Sequence, residues 1–187
     1  MKSKTLPALL AALALIATAA GCGGDDAGSS MSGNASDAAF ITDMTSHHAG
    51  AIEMAEVAKR RAEHPEIREL AENIVSAQKG EISVMKAVGR DMHGMGMHDG
   101  GHMGMSQSEM GMDMDMPMLR AAKPFDRVFI DMMVPHHRGA IAMAKHLLAK
   151  GEQPALRKMA EDIISAQTKE IAQMREWRKA WYGSAAG

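Results

Sequence analysis

Met133-Val134-Pro135-His136-His137-Arg138-Gly139-Ala140-Ile141-Ala142-Met143 repeats, 89 residues on, the stretch Met44-Thr45-Ser46-His47-His48-Ala49-Gly50-Ala51-Ile52-Glu53-Met54. Both read Met-x-x-His-His-x-Gly-Ala-Ile-x-Met. The same offset, with no gap, pairs Phe40 with Phe129, Pro65 with Pro154, Gln78 with Gln167, Glu81 with Glu170 and Met85 with Met174. Of the 46 positions from 40 to 85, 22 are identical in the second copy. Chance does not give that, so the chain is a duplicated unit and its two His-His pairs hold equivalent places.

Around each motif apolar residues recur at three and four positions, the helical period. A first helix is expected from about Asp37 to Glu63 and a second from Pro65, a residue favoured at the first helical position, to about Val88. The second copy repeats the hairpin from Pro124 to Lys150, closed by Gly151 as C-cap, and from Pro154 to about Tyr182. Four helices of roughly 25 residues, each about 37 Å long, predict an all-α antiparallel four-helix bundle made of two duplicated hairpins. Pro135 lies inside the third helix, where it removes a backbone donor and crowds the carbonyl of Asp131, so a kink or a fresh helix start is expected there.

Advancing about 100° per residue from Met44 places His47, His48, Ala51 and Met54 within one arc of about 120°. Met133, His136, His137 and Met143 repeat the arrangement. Glu53, Ala49 and Arg138 fall outside the arc and are read as solvent-facing, as are His64 and His146. Gly50 and Gly139 each cost a helix about 1 kcal/mol, and beside Ala51 and Ala140 they suit close helix approach next to the histidines. On the following helices Ile67, Leu70, Ile74, Gln78, Glu81, Met85 and Val88 share a stripe, so Gln78 and Glu81 interrupt a core face; Gln167 and Glu170, ahead of Met174, do so again. Buried polar groups need partners. These four residues are expected to orient the imidazoles from behind, as carboxylates and amides do at metal sites. The plainer alternative is a core in which Gln and Glu satisfy the histidines and Met simply packs.

Residues 91–118 hold ten of the chain's 20 methionines. Glycines and aspartates break any periodicity, so the segment is expected to stay disordered without a ligand. Thioethers are soft, uncharged donors that favour Cu(I), and His93, His98 and His102 add donors that also take Cu(II). The candidate metal ligands are therefore Met44, His47, His48, Met54 and Met85, their counterparts Met133, His136, His137, Met143 and Met174, and, in the segment, His93, Met95, Met97, His98, His102, Met103 and Met105.

The 187 residues suffice for one compact core, and six aromatics among abundant Ala, Leu, Ile and Met suit helices. Net charge is −2 and becomes about −4 once Lys2 and Lys4 are cleaved away, which leaves no basic surface for nucleic acid. Cys22 is the single cysteine, excluding an internal disulfide or a thiolate zinc site. It ends Ala19-Ala20-Gly21-Cys22, preceded by the charged Lys2 and Lys4 and an apolar run from Leu6 to Ala20 too short to span a bilayer. Residues 1–21 read as a lipoprotein-type signal peptide, with a lipid on Cys22 anchoring the protein to the outer face of the membrane and 22–36 as a flexible tether. Ala19, where Leu is commoner, leaves ordinary signal-peptidase cleavage and a secreted or periplasmic form as the alternative. The duplicated unit then spans residues 37–182, interrupted by the Met-rich loop at 91–118.

The repeated Phe-Ile-x-x-Met-x-x-His-His-x-Gly-Ala-Ile-x-Met-Ala run, followed in each copy by Ala-Glu-x-Ile-x-Ser-Ala-Gln-x-x-Glu-Ile-x-x-Met, resembles the DUF305 family over residues 40–178 apart from the Met-rich insert. The resemblance implies a ferritin-like four-helix fold and a role in copper homeostasis outside the cytoplasm, with the His-His and Met positions as ligands. No Glu-x-x-His occurs, so a ferritin-type di-iron oxidase site is not expected, and no hydrolase, zincin or phosphate-loop motif is present. The leading expectation is an exported copper-binding protein that sequesters or hands on Cu(I) or Cu(II) to a delivery partner, without being an enzyme. The alternatives are a structural or interaction lipoprotein and a cuprous oxidase. Oligomeric state, and whether the His-His pairs share one central metal or form two sites, stay open.

Overall fold

A computed structural model describes residues 33–96 and 101–183. Among these there are five helices and no strand: α1 (Ala35–Arg61), α2 (Pro65–Gly94), α3 (Met116–Ala121), α4 (Phe125–Lys150) and α5 (Pro154–Tyr182). None of them is long and apolar enough to cross a membrane. Asn34 starts α1 with a capping box, its side chain accepting from Ser36 and Asp37 while Asp37 accepts from the Asn34 amide. Pro65 and Pro154 open α2 and α5, and Gly183, with φ 77°, closes α5. Gly151 caps α4 in an extended conformation. Its missing Cβ leaves room for Asp37 Oδ1, 2.6 Å from where that atom would stand.

Helix α1 packs on α2 and α4 on α5, while α1 and α4 meet along the central seam and α2 and α5 touch only lightly. The core divides in two. One cluster gathers Phe129, Met133, Met54 and Met174 with Ile67 and Ile74. The other gathers their equivalents, Phe40, Met44, Met143 and Met85, with Leu156 and Ile163. Each therefore takes residues from both hairpins, and the pairing of Met44 with Met143 and of Met54 with Met133 makes α1 and α4 antiparallel about a pseudo-twofold axis. Burying one such Met or Phe side chain contributes about 1.5–3 kcal/mol.

The same symmetry places two carboxylates that the sequence reading passed over. Asp126, fully buried, accepts from the backbone N–H groups of Glu63 and His64 at 3.0 and 2.8 Å and pairs with His64 Nδ1 at 2.7 Å. Asp37, its equivalent 89 residues earlier, accepts from Glu152 and Gln153 at 3.1 and 3.3 Å. Each hairpin thus ties down the interhelical turn of the other. His64, expected on the surface, is held by Asp126 and stacks on Trp181 with ring centroids 3.7 Å apart.

Two further expectations are corrected. Of the kink or fresh helix start expected at Pro135, the fresh start is excluded: α4 is one helix through that residue. Pro135 lies on the exposed side of the helix. The Met-rich segment, expected to be disordered, is laid against the bundle over residues 101–115. Asp43, a buried residue of α1, accepts from the Met103 amide at 2.7 Å and pairs with His102 Nδ1 at 2.5 Å. Met103 and Met110 are buried in the second core cluster. Between them Ser106 and Glu109 form a second capping box that closes a turn. A continuous apolar face was not needed: two buried thioether side chains, one carboxylate and one turn suffice to dock the chain.

Candidate metal centre

Between the two core clusters, at mid-height of the bundle, lies a polar layer. His47, His48, His136 and His137 are all 0 % exposed there. The twofold brings His47 against His136, ring centroids 3.7 Å apart, and His47 Nε2 donates to the His136 carbonyl at 3.0 Å. His48 and His137 lie to either side. His48 Nε2 meets Glu81 Oε2 at 2.6 Å and His137 Nε2 meets Glu170 Oε2 at 2.7 Å, so the expected carboxylate support is present in both copies. A neutral imidazole that donates through Nε2 keeps its lone pair on Nδ1. The glutamates thus fix ring orientation and leave Nδ1 as the basic nitrogen, the arrangement that raises ligand strength at metal sites.

Gln78 and Gln167 do not join in. Both are buried on the same stripe, but their Oε1 atoms meet no donor and neither amide bonds an imidazole. No hydrogen bond joins them to the histidines; the ring contacts are made three residues further along each stripe, where Glu81 and Glu170 stand level with His48 and His137. Among the described residues nine buried side-chain N or O atoms lack a hydrogen-bond partner. Five belong to the four histidines, namely both ring nitrogens of His136 and Nδ1 of His47, His48 and His137, and two more to the glutamines. A buried polar atom left unpaired costs about 1–3 kcal/mol, and these uncharged nitrogen donors gathered in one layer fit a soft ion.

The six helical methionines of the donor set, Met44, Met54, Met85, Met133, Met143 and Met174, are fully buried on either side of this layer, three in each core cluster. Thr45 Oγ1 approaches Met85 Sδ at 4.0 Å. The segment's donors are spread out. His102 is held by Asp43 and Met103 is buried, whereas His93 and Met95 are exposed at the end of α2 and Met105 is half-buried. Met97, His98 and Cys22 lie outside the described residues. No group of three or more His, Cys, Asp or Glu side chains among the described residues closes to metal-holding spacing. Glu53, Ala49 and Arg138 face solvent as expected, and Glu53 pairs with Arg120 at 2.6 Å.

The glycines of the motifs serve a different purpose from helix contact. A Cβ at Gly139 would stand 1.8 Å from the Met110 carbonyl oxygen, and one at Gly50 would stand 2.4 Å from the Met114 methyl. Both glycines receive the Met-rich loop, which crosses the α1–α4 seam beside the histidines. Met110 and Met114 were absent from the sequence-based donor set; the Ser106-x-x-Glu109 box was the legible sign of a structured turn there.

Residues 37–178 match the family described as Domain of unknown function (DUF305). The chain belongs to this family. Among solved structures, the DUF305 chain is similar to CopM in its Cu(I)-bound form, with 40% identity, TM-score 0.68, and coverage of 79% of this chain and 98% of CopM. To CopM in the Cu(II)-bound form it is 43% identical with TM-score 0.69, covering 78% and 97%. A putative secreted DUF305 protein from Streptomyces coelicolor is 25% identical with TM-score 0.68, covering 81% and 96%. Uncharacterized protein L153 of Acanthamoeba polyphaga mimivirus is 37% identical over 49 residues, which span 26% of this chain and 32% of that protein.

Burial depresses the basicity of the central pair in this DUF305 chain. His47 is lowered to about 3, first by burial and then by the neighbouring His48 and His137 imidazoles, and His136 is held well below its ordinary value by burial and by His47. Both are neutral at pH 7, so an arriving metal ion has no proton to displace from them. Since their folded values lie below the unfolded value, their contribution to stability is complete above about pH 6.5 and drains away as pH falls below it, for His47 down to about 3. Urea unfolding of the metal-free protein is expected to show stability falling by about 1.4 kcal/mol per pH unit for each of the two groups below pH 6. A His47→Gln, His136→Gln protein should lose that part of the slope; an unchanged slope would refute the assignment.

Proposed function

We propose that the protein is an exported copper-binding protein that sequesters or hands on Cu(I) or Cu(II) through the histidine layer and the Met-rich loop. The observation that carries this reading is the set of five partnerless imidazole nitrogens buried between thioether clusters. Neutral imidazole and thioether donors suit Cu(I), and imidazole also takes Cu(II). The likeness to CopM, solved with Cu(I) and with Cu(II) bound, supports it. We place the protein on the outer face of the cell membrane, tethered by a lipid on Cys22, and assign it binding and not turnover.

The test is an anaerobic Cu(I) titration of residues 23–187 against a competing chelator, beside a protein in which His47, His48, His136 and His137 are each changed to Gln. The quadruple variant is expected to stay helical and to lose affinity on the order of a hundredfold or more. Equal affinity of the two proteins would reduce the histidine layer to packing. Sustained oxygen consumption in the presence of Cu(I) would replace the binding reading with a cuprous oxidase.

A further inference from the structure

The loop meets the two halves of the symmetric bundle differently. At Gly139 it presents backbone: the Met110 carbonyl carbon and the Gly111 nitrogen lie 2.1 and 2.8 Å from where a Cβ would stand. At Gly50, the equivalent residue, it presents a thioether. The point where a Gly50 Cβ would stand lies 3.2 Å from Met114 Sδ and 3.5 Å from His136 Nε2. That nitrogen belongs to the one histidine of the layer with neither ring atom bonded. Its ring in turn lies against His47, whose Nδ1 is also without a partner.

We propose that Met114 completes a single asymmetric soft-metal site with the imidazoles of His136 and His47, and that Gly50 keeps open the space in which the thioether and the imidazole meet. The inference rests on the copper reading above and sharpens it: the loop is part of the central site and not a separate store. The donors named are uncharged. A monovalent soft ion is cheaper to bury among them than a divalent one, which selects Cu(I), and Ag(I) as its probe. Met114 ends in a flexible thioether and is only half-buried, so its sulfur can turn toward the ring without repacking the helices. Because the second notch is filled by a carbonyl and a peptide nitrogen, the duplication does not yield a second site of the same kind.

The experiment uses residues 23–187 unaltered and carrying Met114→Leu, Gly50→Ala or, as a control at an exposed methionine, Met118→Leu. Cu(I) affinity is measured against a chelator, and the number of sulfur neighbours by X-ray absorption of the loaded protein. Met114→Leu is expected to weaken binding about tenfold or more and to remove one sulfur neighbour. Gly50→Ala should weaken it likewise while favouring the helix, and Met118→Leu should change neither readout. The methyl carbon resonance of Met114 should also shift on adding Ag(I), a signal that a packing role would not give. If Met114→Leu keeps full affinity and the same sulfur count, the proposal is overturned and the copper reading stands. If the unaltered protein fails to compete for Cu(I), both fall.

Discussion

Changing Asp126 to Ala is expected to lower the unfolding free energy by about 3–5 kcal/mol, among the largest single-residue effects available in this protein. The carboxylate is fully buried and serves three donors at once: two backbone N–H groups at the entry to α2 and the His64 ring. Alanine offers no acceptor, and water reaches the site poorly, so the cost is that of stranded amides together with the lost charge-assisted bonds. Asp37→Ala should act at the other end of the bundle with similar size, since it serves Glu152, Gln153 and the Asn34 amide. The two sites share no partner, so their effects should add. Urea unfolding followed by circular dichroism measures all three proteins. A loss under about 1 kcal/mol for Asp126→Ala would show that the turn finds other acceptors.

Gly139→Ala is expected to release the Met-rich loop while leaving the helices in place. The new Cβ would stand 1.8 Å from the Met110 carbonyl oxygen, an impossible approach, and the obstacle is backbone that no rotamer change removes. Alanine suits the helix better than glycine by about 1 kcal/mol, so α4 keeps its position and the loop yields. Exposing Met103 and Met110, each worth about 1.5–3 kcal/mol when buried, should raise the rate of proteolytic cutting within residues 101–115 at least about tenfold. Gly50→Ala meets only the mobile end of the Met114 side chain and should leave the loop protected. Equal protection of Gly139→Ala and the unaltered protein would mean that the loop docks by some other contact.

Much of this was legible in the residues. The offset of 89, the helical period, the prolines at helix starts and the Glu81 and Glu170 stripes define the helices and put a carboxylate behind one histidine of each pair. The cross-pairing was not legible. A repeat is read in register along the chain, whereas the contacts run antiparallel, so that Met44 meets Met143 and Asp126 caps the turn at Glu63. The loop was misjudged for a related reason. Composition measures whether a segment can bury a continuous face, but docking here depends on a few anchors whose receptors, Asp43, Gly50 and Gly139, lie elsewhere in the chain. The stripe shared by Gln78 and Glu81 gives a direction but not a height along the bundle, and it is Glu81 that stands level with the His48 ring.

The division of the core has a consequence for where cooperativity comes from. A lone hairpin owns half of each apolar cluster and the whole of neither, and its aspartate caps a turn it does not possess. Neither half is therefore an autonomous folding unit. Two copies of one hairpin could supply every missing part only by associating as an isologous dimer. Joined in one polypeptide, they do the same at an effective concentration set by the connector, which frees assembly from dependence on protein concentration.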